Sequence, residues 1–207
     1  MDINRLWKNH PIYQKVAKTI KGTNAYYYEL TGLKGSLSSF LIATLCPHFN
    51  MPFLVLTPDT ESALHCYQDL KTLTRLPENQ KIFFFPAFEI LPYEDVTHDA
   101  QIIEQRMKVL SNLASSGDRK TSHYPVGHIT IASYKAILPY LILPGDFRKQ
   151  VWTLKQNKQI KLETFLSYWV AQNFQSTQLI EHQGQFSHRG GIVDIYPYTE
   201  ENPIRFE

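Results

Sequence analysis

YYYELTGLKGSLSSF (residues 26–40) decides the fold, because an aromatic run, a paired-glycine turn and an apolar helical pattern follow one another without a break. The run AYYYEL (25–30) reads as a buried strand ending at Thr31-Gly32, and SLSSFLIATL (36–45) reads as a helix closed by Pro47. Strand, glycine turn and helix in that order open a parallel α/β sheet. The residues downstream repeat the alternation. PFLVLT (52–57) is almost wholly apolar, as a strand covered on both faces would be, with Thr57 as N-cap and Pro58 as first helical residue. Ala63, Tyr67 and Leu70 then recur at helical spacing. KIFFFP (81–86) predicts a third strand, and the loop AFEILPYEDVTHD leads to a helix with a stripe of Ile103, Met107, Leu110 and Leu113. Glu104 and Lys108 form an i,i+4 pair on its wet side, and HITIAS (128–133) predicts a fourth strand before a short helix cut at Pro139 or Pro144. The expected fold class is α/β, a parallel sheet with helices on both faces.

The texture changes after Pro144-Gly145-Asp146. VWTLK (151–155) reads as a strand, and Leu162, Phe165, Leu166, Trp169 and Val170 make one amphipathic helix face. QLI, QFSHR, IVDIYP and PIRFE are short strand candidates separated by Gly or Pro, which predicts a small α+β second domain. The expected division is 1–147 and 148–207. The final PIRFE has no closing element, so the last strand reads as the edge of a longer chain.

Composition bounds the function. The 207 residues are 43% hydrophobic and 19% charged, and 21 Lys plus Arg against 19 Asp plus Glu leave a formal charge of +2. That balance excludes a strongly basic nucleic-acid glove and an acidic disordered tail. Cys46 and Cys66 are too few for a disulfide scaffold and wrongly spaced for zinc. The N-terminus lacks the apolar core of a signal peptide, and no run approaches the ~18 apolar residues of a membrane span. The expectation is a cytoplasmic protein with no membrane partner.

The glycine turn invites comparison with a phosphate-binding loop. That loop needs G-x-x-x-x-G-K-[ST]: backbone N–H groups cradle phosphate, the lysine reaches the β/γ-phosphates and the hydroxyl holds Mg²⁺. Laid from Gly32, the first glycine and the final hydroxyl, Ser39, fit. Leu37 stands where the second glycine belongs, and Ser38 replaces the lysine. Lys34 lies four positions early. Gly32, Gly35, Ser36, Ser38 and Ser39 therefore outline a degenerate phosphate loop, or no more than a tight βα turn. The strand HITIAS ends in Ala132-Ser133, without the Mg²⁺-holding carboxylate of a phosphoryl-transfer enzyme, and Asp59 fits helix-start chemistry better. No catalytic residue is assigned.

The eight histidines are scattered with no metal-ligand spacing, and no nucleophile elbow occurs. Glu89, Glu94 and Asp95 lie in a proline-containing loop that they help to shape. In FSHRGGIVDIYPYTEENPIRFE (186–207), Arg189-Gly190-Gly191 sits between two strands, and the glycines permit a bulge or a close backbone approach. Arg189 and Arg205 project either onto one face or as ordinary solvated charges. Phe186, Tyr196, Tyr198 and Phe206 are too irregular for a base-stacking platform.

In this order, LTGLKGSLSSFLIA (30–43), FPAFEILPYEDVTHDAQIIEQRM (85–107), ITIASYKAI (129–137) and RGGIVDIYP (189–197) resemble the N-terminal module of bacterial transcription-repair coupling factors, the Mfd family. That module is similar to part of the excision-repair helicase UvrB. The resemblance covers the chain from about residue 25 onward. Ser38 at the lysine position, and a Phe85–Asp95 segment too short for UvrB's damage-verifying hairpin, favour the coupling factors. The resemblance implies a RecA-like domain with a degenerate phosphate loop, and a second domain that recruits UvrA in transcription-coupled nucleotide-excision repair. Arg189, in the motif R-G-x-x-x-D/E-x-x-P, and Arg205, in the following strand, are the implied UvrA contacts. It also implies that RNA polymerase, double-stranded DNA, ATP and Mg²⁺ are handled by regions of a longer protein, with no cofactor in this fragment. The alternative is the first half-motor of a UvrB-like ATP-dependent helicase.

Overall fold

The computed structural model describes residues 9–22, 27–46, 52–74, 81–88, 99–115, 128–152 and 154–207. The chain divides into two compact units, Met1–Ala87 with Thr121–Pro139, and Phe88–Lys120 with Tyr140–Glu207. The break at Pro139–Tyr140 precedes the expected 147/148 boundary, and residues 88–120 group with the second unit.

The first unit holds a parallel sheet in the order β1 (Phe53–Thr57), β3 (Ile129–Ser133), β2 (Ile82–Phe85). Central β3 is buried at all five positions, Thr130 and Ser133 included, as a strand paired on both edges and packed by helices is. Ile129 and Ile131 pack against Ala63 and Leu70 of α3 (Thr60–Leu73) and Ala43 of α2 (Leu37–Leu45), with Phe53, Val55, Ile82 and Phe84 flanking them. Edge strand β1 departs from the expected two-sided cover: Leu54 and Leu56, on the opposite face from this core, are 59% and 51% exposed. Helix α3 begins two residues later than predicted. Asp59 is its N-cap, accepting a 2.7 Å bond from the Ser62 N–H, while Thr57 Oγ1 donates to the Asp59 carbonyl.

The larger correction is at the start of the chain. Tyr27–Leu30 are coil and join no strand, whereas Ala25 and Tyr26 lie outside the described residues. Tyr27 is 77% exposed; Tyr28 and Leu30 instead border a cavity of about 190 Å³ with Val16 and Ile20 of α1 (Pro11–Gly22). This helix was not anticipated. Its Tyr13, Val16, Ala17 and Ile20 pack on Leu41 and Leu45 of α2, and Tyr13 Oη donates to the Thr44 carbonyl. The apolar run thus finds a helix, not a strand, as its neighbour.

In the second unit, α4 (Ala100–Ser115) buries Arg106, Val109 and Ala114, while Leu113 of the predicted stripe is 43% exposed. Its face is set by the Arg106 guanidinium over the Phe88 ring at 4.3 Å, and by Arg148 of α6 (Pro144–Lys149) donating to the Ala114 carbonyl. The Glu104–Lys108 pair forms. A four-stranded mixed sheet follows, ordered β4 (Gln175–Ser176), β5 (Gln185–Arg189), β6 (Ile192–Tyr196), β7 (Ile204–Phe206). Helix α7 (Leu162–Ala171) packs Phe165, Leu166 and Trp169 on Phe186, Val193, Ile195 and Phe206. The described part of VWTLK is not a strand, because Trp152 stacks on Tyr168 of α7 at 4.2 Å and leaves no ladder to join. QLI is not a strand either; its backbone is used by side chains. The short helix after β3, α5 (Tyr134–Ile137), stops before Pro139 as expected. Among the described residues no helix is long and apolar enough to cross a membrane.

Candidate protein-interaction face

The hairpin register decides which side chains share a face. Arg189 pairs with Ile192 across a two-residue loop, Gly190-Gly191, in which Gly190 has φ +62°. A positive φ at the first of two loop residues suits the tight hairpin turn in which glycine is favoured. The turn therefore carries no bulge, and nothing lies within 4 Å of a Cβ built on either glycine, so close approach is not their role either. With this turn, Ser187 falls opposite Asp194, and Asp194 opposite Arg205. Opposed residues, and residues two apart on a strand, point to the same side of a sheet. Ser187, Arg189, Ile192, Asp194 and Arg205 therefore form the outer face, while Phe186, Val193, Ile195 and Phe206 form the inner one. The structure brings Arg189 and Arg205 to one face, on the two strands flanking β6.

Each arginine is held by an acceptor of the same unit. Arg205 donates from Nε to Asp194 Oδ1 at 2.7 Å and from Nη2 to Oδ2 at 2.9 Å, the parallel fork of a guanidinium on a carboxylate. The Arg205 side chain is 62% exposed and that of Asp194 29%. The hydrogen bond from Arg205 holds the Asp194 carboxyl below the usual carboxylate range, with the charges of Arg205 and Arg189 acting in the same sense. Arg189 donates from Nη2 to the Gln178 carbonyl at 2.7 Å and is exposed. The same carbonyl accepts from Ser187 Oγ, while Gln185 Oε1 accepts from the Glu181 and His182 N–H groups. These bonds strap the 178–182 segment along β5. Asp194 is the acidic position of the motif R-G-x-x-x-D/E-x-x-P but was given no role from sequence, and neither was the Gln178 carbonyl; a two-residue turn between Arg189 and Ile192 is the signal that would have set Asp194 on the face of the arginines.

The degenerate phosphate loop lies in the first unit. Gly32 and Gly35 have φ +81° and +55° and are exposed, with open space around both. Ser36 is the N-cap of α2 but makes no side-chain capping bond, and Ser38 is exposed. Ser39, at the Mg²⁺-hydroxyl position, is 3% exposed and hydrogen-bonds Cys66 of α3, whose thiol burial pushes up. Glu89, Glu94 and Asp95 lie outside the described residues. Among the described residues, no cluster of His, Cys, Asp and Glu could hold a metal ion.

Comparison with known proteins finds a family match inside the second unit and relatives that match along most of the chain. Residues 152–207 match the family described as UvrB interaction domain. Over 179 residues the chain is 28% identical to a transcription-repair-coupling factor of Bacillus subtilis, covering 86% of this chain and 14% of that protein. Over 204 residues it is 24% identical to one of Borreliella burgdorferi, covering 99% of this chain and 17% of that protein. A Staphylococcus aureus transcription-repair-coupling factor is 25% identical over 178 residues. The similarity to transcription-repair-coupling factors implied by the motifs therefore runs along most of the chain, which spans only 14% to 17% of the length of the first two of these relatives.

Proposed function

We propose that this chain is a non-catalytic, UvrB-like adaptor: the UvrA-recruiting part of a transcription-repair coupling factor. The observation that carries the reading is the exposed sheet face bearing Arg189 and Arg205, inside the segment that matches the UvrB interaction domain. Arginine is the side chain suited to planar carboxylate recognition, so acidic residues on UvrA are the expected partners. The reading keeps the functional division at 147/148, later than the break between the compact units at 139/140: 1–147 is the scaffold with a degenerate phosphate loop, and 148–207 is the binding piece. Ser38 cannot neutralise a β/γ-phosphate, and Ser39 is engaged with Cys66, so the reading requires no ATP, Mg²⁺ or other cofactor here. The same features weigh against the half-motor alternative. RNA polymerase and double-stranded DNA belong, in this reading, to the rest of a longer cytoplasmic protein acting after stalled polymerase is displaced.

The test is the affinity of the 207-residue chain for UvrA, measured by calorimetry with Arg189→Ala and Arg205→Ala beside the parent. Losing one arm of a desolvated interfacial charge contact weakens binding by about 2–5 kcal/mol. The Arg189→Ala variant is expected in that range, with thermal stability nearly unchanged, since exposed substitutions seldom move stability beyond ~0.5 kcal/mol. Variants that bind UvrA as tightly as the parent would refute the reading.

A further inference from the structure

The face holds a third charged residue whose presence runs against a surface built only to attract acid. Arg189 and Arg205 carry two positive charges, Asp194 between them cancels one, and Glu207, just after β7, also acts on Arg205. A carboxylate at the centre of an acid-binding face lowers its pull on an acidic partner. It also does something else. The guanidinium of Arg205 sits at the end of a long stem with many rotamers when free; in the structure two parallel hydrogen bonds fix its plane on Asp194. Those bonds use Nε and Nη2, which leaves Nη1 outside the fork with Asp194. Arg189 is held in a comparable way, with Nη2 on the Gln178 carbonyl and the rest of its fork unengaged among the described residues.

We propose that Asp194 is a positioning residue for the partner-binding face, holding Arg205 in the orientation that receives a partner carboxylate. The inference rests on the reading of this face as the UvrA contact. Asp194 itself does not touch the partner's acid. It acts through Arg205, and what it supplies is preorganisation: a side chain already fixed loses little freedom on binding, whereas a free one must be ordered at that moment. The register makes Asp194 suited to this task. It lies directly opposite Arg205 on the adjacent strand, on the same side of the sheet, and on the central strand between the two arginine-bearing ones.

Electrostatics and positioning predict opposite signs for one substitution, which is what makes the proposal testable. Asp194→Asn removes the negative charge, so simple attraction predicts tighter binding to an acidic partner. Positioning predicts weaker binding, by about three- to tenfold, the cost of ordering one long side chain. The experiment measures UvrA affinity of the full 207-residue chain as parent, Asp194→Asn, Asp194→Glu, Arg205→Ala, and the Asp194→Asn/Arg205→Ala double variant. The expected results are a loss for Asp194→Asn, substantial recovery with Asp194→Glu, and no further loss from Asp194→Asn once Arg205 is gone. An independent readout is the Arg205 Nε–H resonance, expected to be sharp and slowly exchanging in the parent and broadened in Asp194→Asn. Equal or tighter binding by Asp194→Asn, with Arg205→Ala still impaired, overturns the positioning role and leaves the UvrA reading standing. A loss of equal size in the Arg205→Ala background also overturns it, because Asp194 would then act independently of the arginine. Parent-like binding by Arg205→Ala and Arg189→Ala overturns both readings together.

Discussion

Gly184 immediately precedes β5, the strand that carries Arg189, and replacing it with alanine tests the packing on which the candidate face stands. Its φ of +82° lies in the left-handed region, where a Cβ costs about 1–2 kcal/mol. A Cβ there would also meet Tyr198 Oη at 2.2 Å and Cζ at 2.6 Å, distances no side chain sustains. The Tyr198 ring must swing away, giving up its edge-on contact with Phe174, whose ring centroid is 5.4 Å distant. Aromatic pairs of this kind are worth about 0.5–1.5 kcal/mol beyond buried area. Gly184→Ala should therefore destabilise the second unit by about 2–3 kcal/mol. Urea unfolding followed by tryptophan emission reads this directly, with Trp7→Phe introduced so that only Trp152 and Trp169 report. With a slope of ~2 kcal/mol per molar urea, the midpoint should fall by about 1 M or more. In a Tyr198→Ala background the penalty should shrink to its backbone part. An unchanged midpoint, or a penalty equal in both backgrounds, would refute the close packing of Gly184 beneath Tyr198.

Three further expectations concern other parts of the chain. Asp59 caps α3, and its bonds from the Ser62 N–H and hydroxyl hold its carboxyl below the usual range; the stabilisation is full above the unfolded-chain value of about 4 and is lost as pH falls through the lower folded value. Asp59→Ala should thus lower the unfolding midpoint at neutral pH and converge with the parent once pH has fallen through the lowered folded value; curves that stay apart in acid would contradict the cap. A fragment of residues 148–207 should retain a dispersed amide NMR spectrum, because every side chain in the core of the small sheet lies between Trp152 and Phe206. It should be less stable than the whole, since about 60 residues bury proportionately less surface, and a collapsed spectrum would count against the module boundary. Titration of the 207-residue chain with ATP and Mg²⁺ should release no binding heat; one-site, micromolar binding would contradict the adaptor reading.

The apolar runs FLVLT and IFFF made β1 and β2 legible and Ile129, Ile131 and Ala132 did so for β3, each run being too short for a helix, and the α7 face was legible from its spacing. AYYYEL shows the limit of such runs: a continuous aromatic stretch has no periodicity of its own, and its residues 28–30 lie beside α1 instead of in a strand. Helix α1 itself was in plain view, with Tyr13, Val16, Ala17 and Ile20 at helical spacing. The N-cap of α3 moved from Thr57 to Asp59 because Asp and Thr compete for that place within three residues, and only geometry chooses. At the candidate face the two arginines were legible by motif. Their common face depended on strand register, and the Asp194 fork on a turn length that two glycines permit without dictating. The Gln178 carbonyl that holds Arg189 is a backbone atom, invisible to any reading of side-chain types.

Arginine-selective labelling of the 207-residue chain with phenylglyoxal, read by mass spectrometry with and without UvrA, reports on the side chains at issue. Arg189, Arg205 and Arg148 are all exposed in the free chain, and Arg148 serves as the internal control. The account predicts that UvrA protects Arg189 and Arg205 together and leaves Arg148 labelled as before. Unchanged labelling of Arg189 and Arg205 in a complex that forms would contradict it.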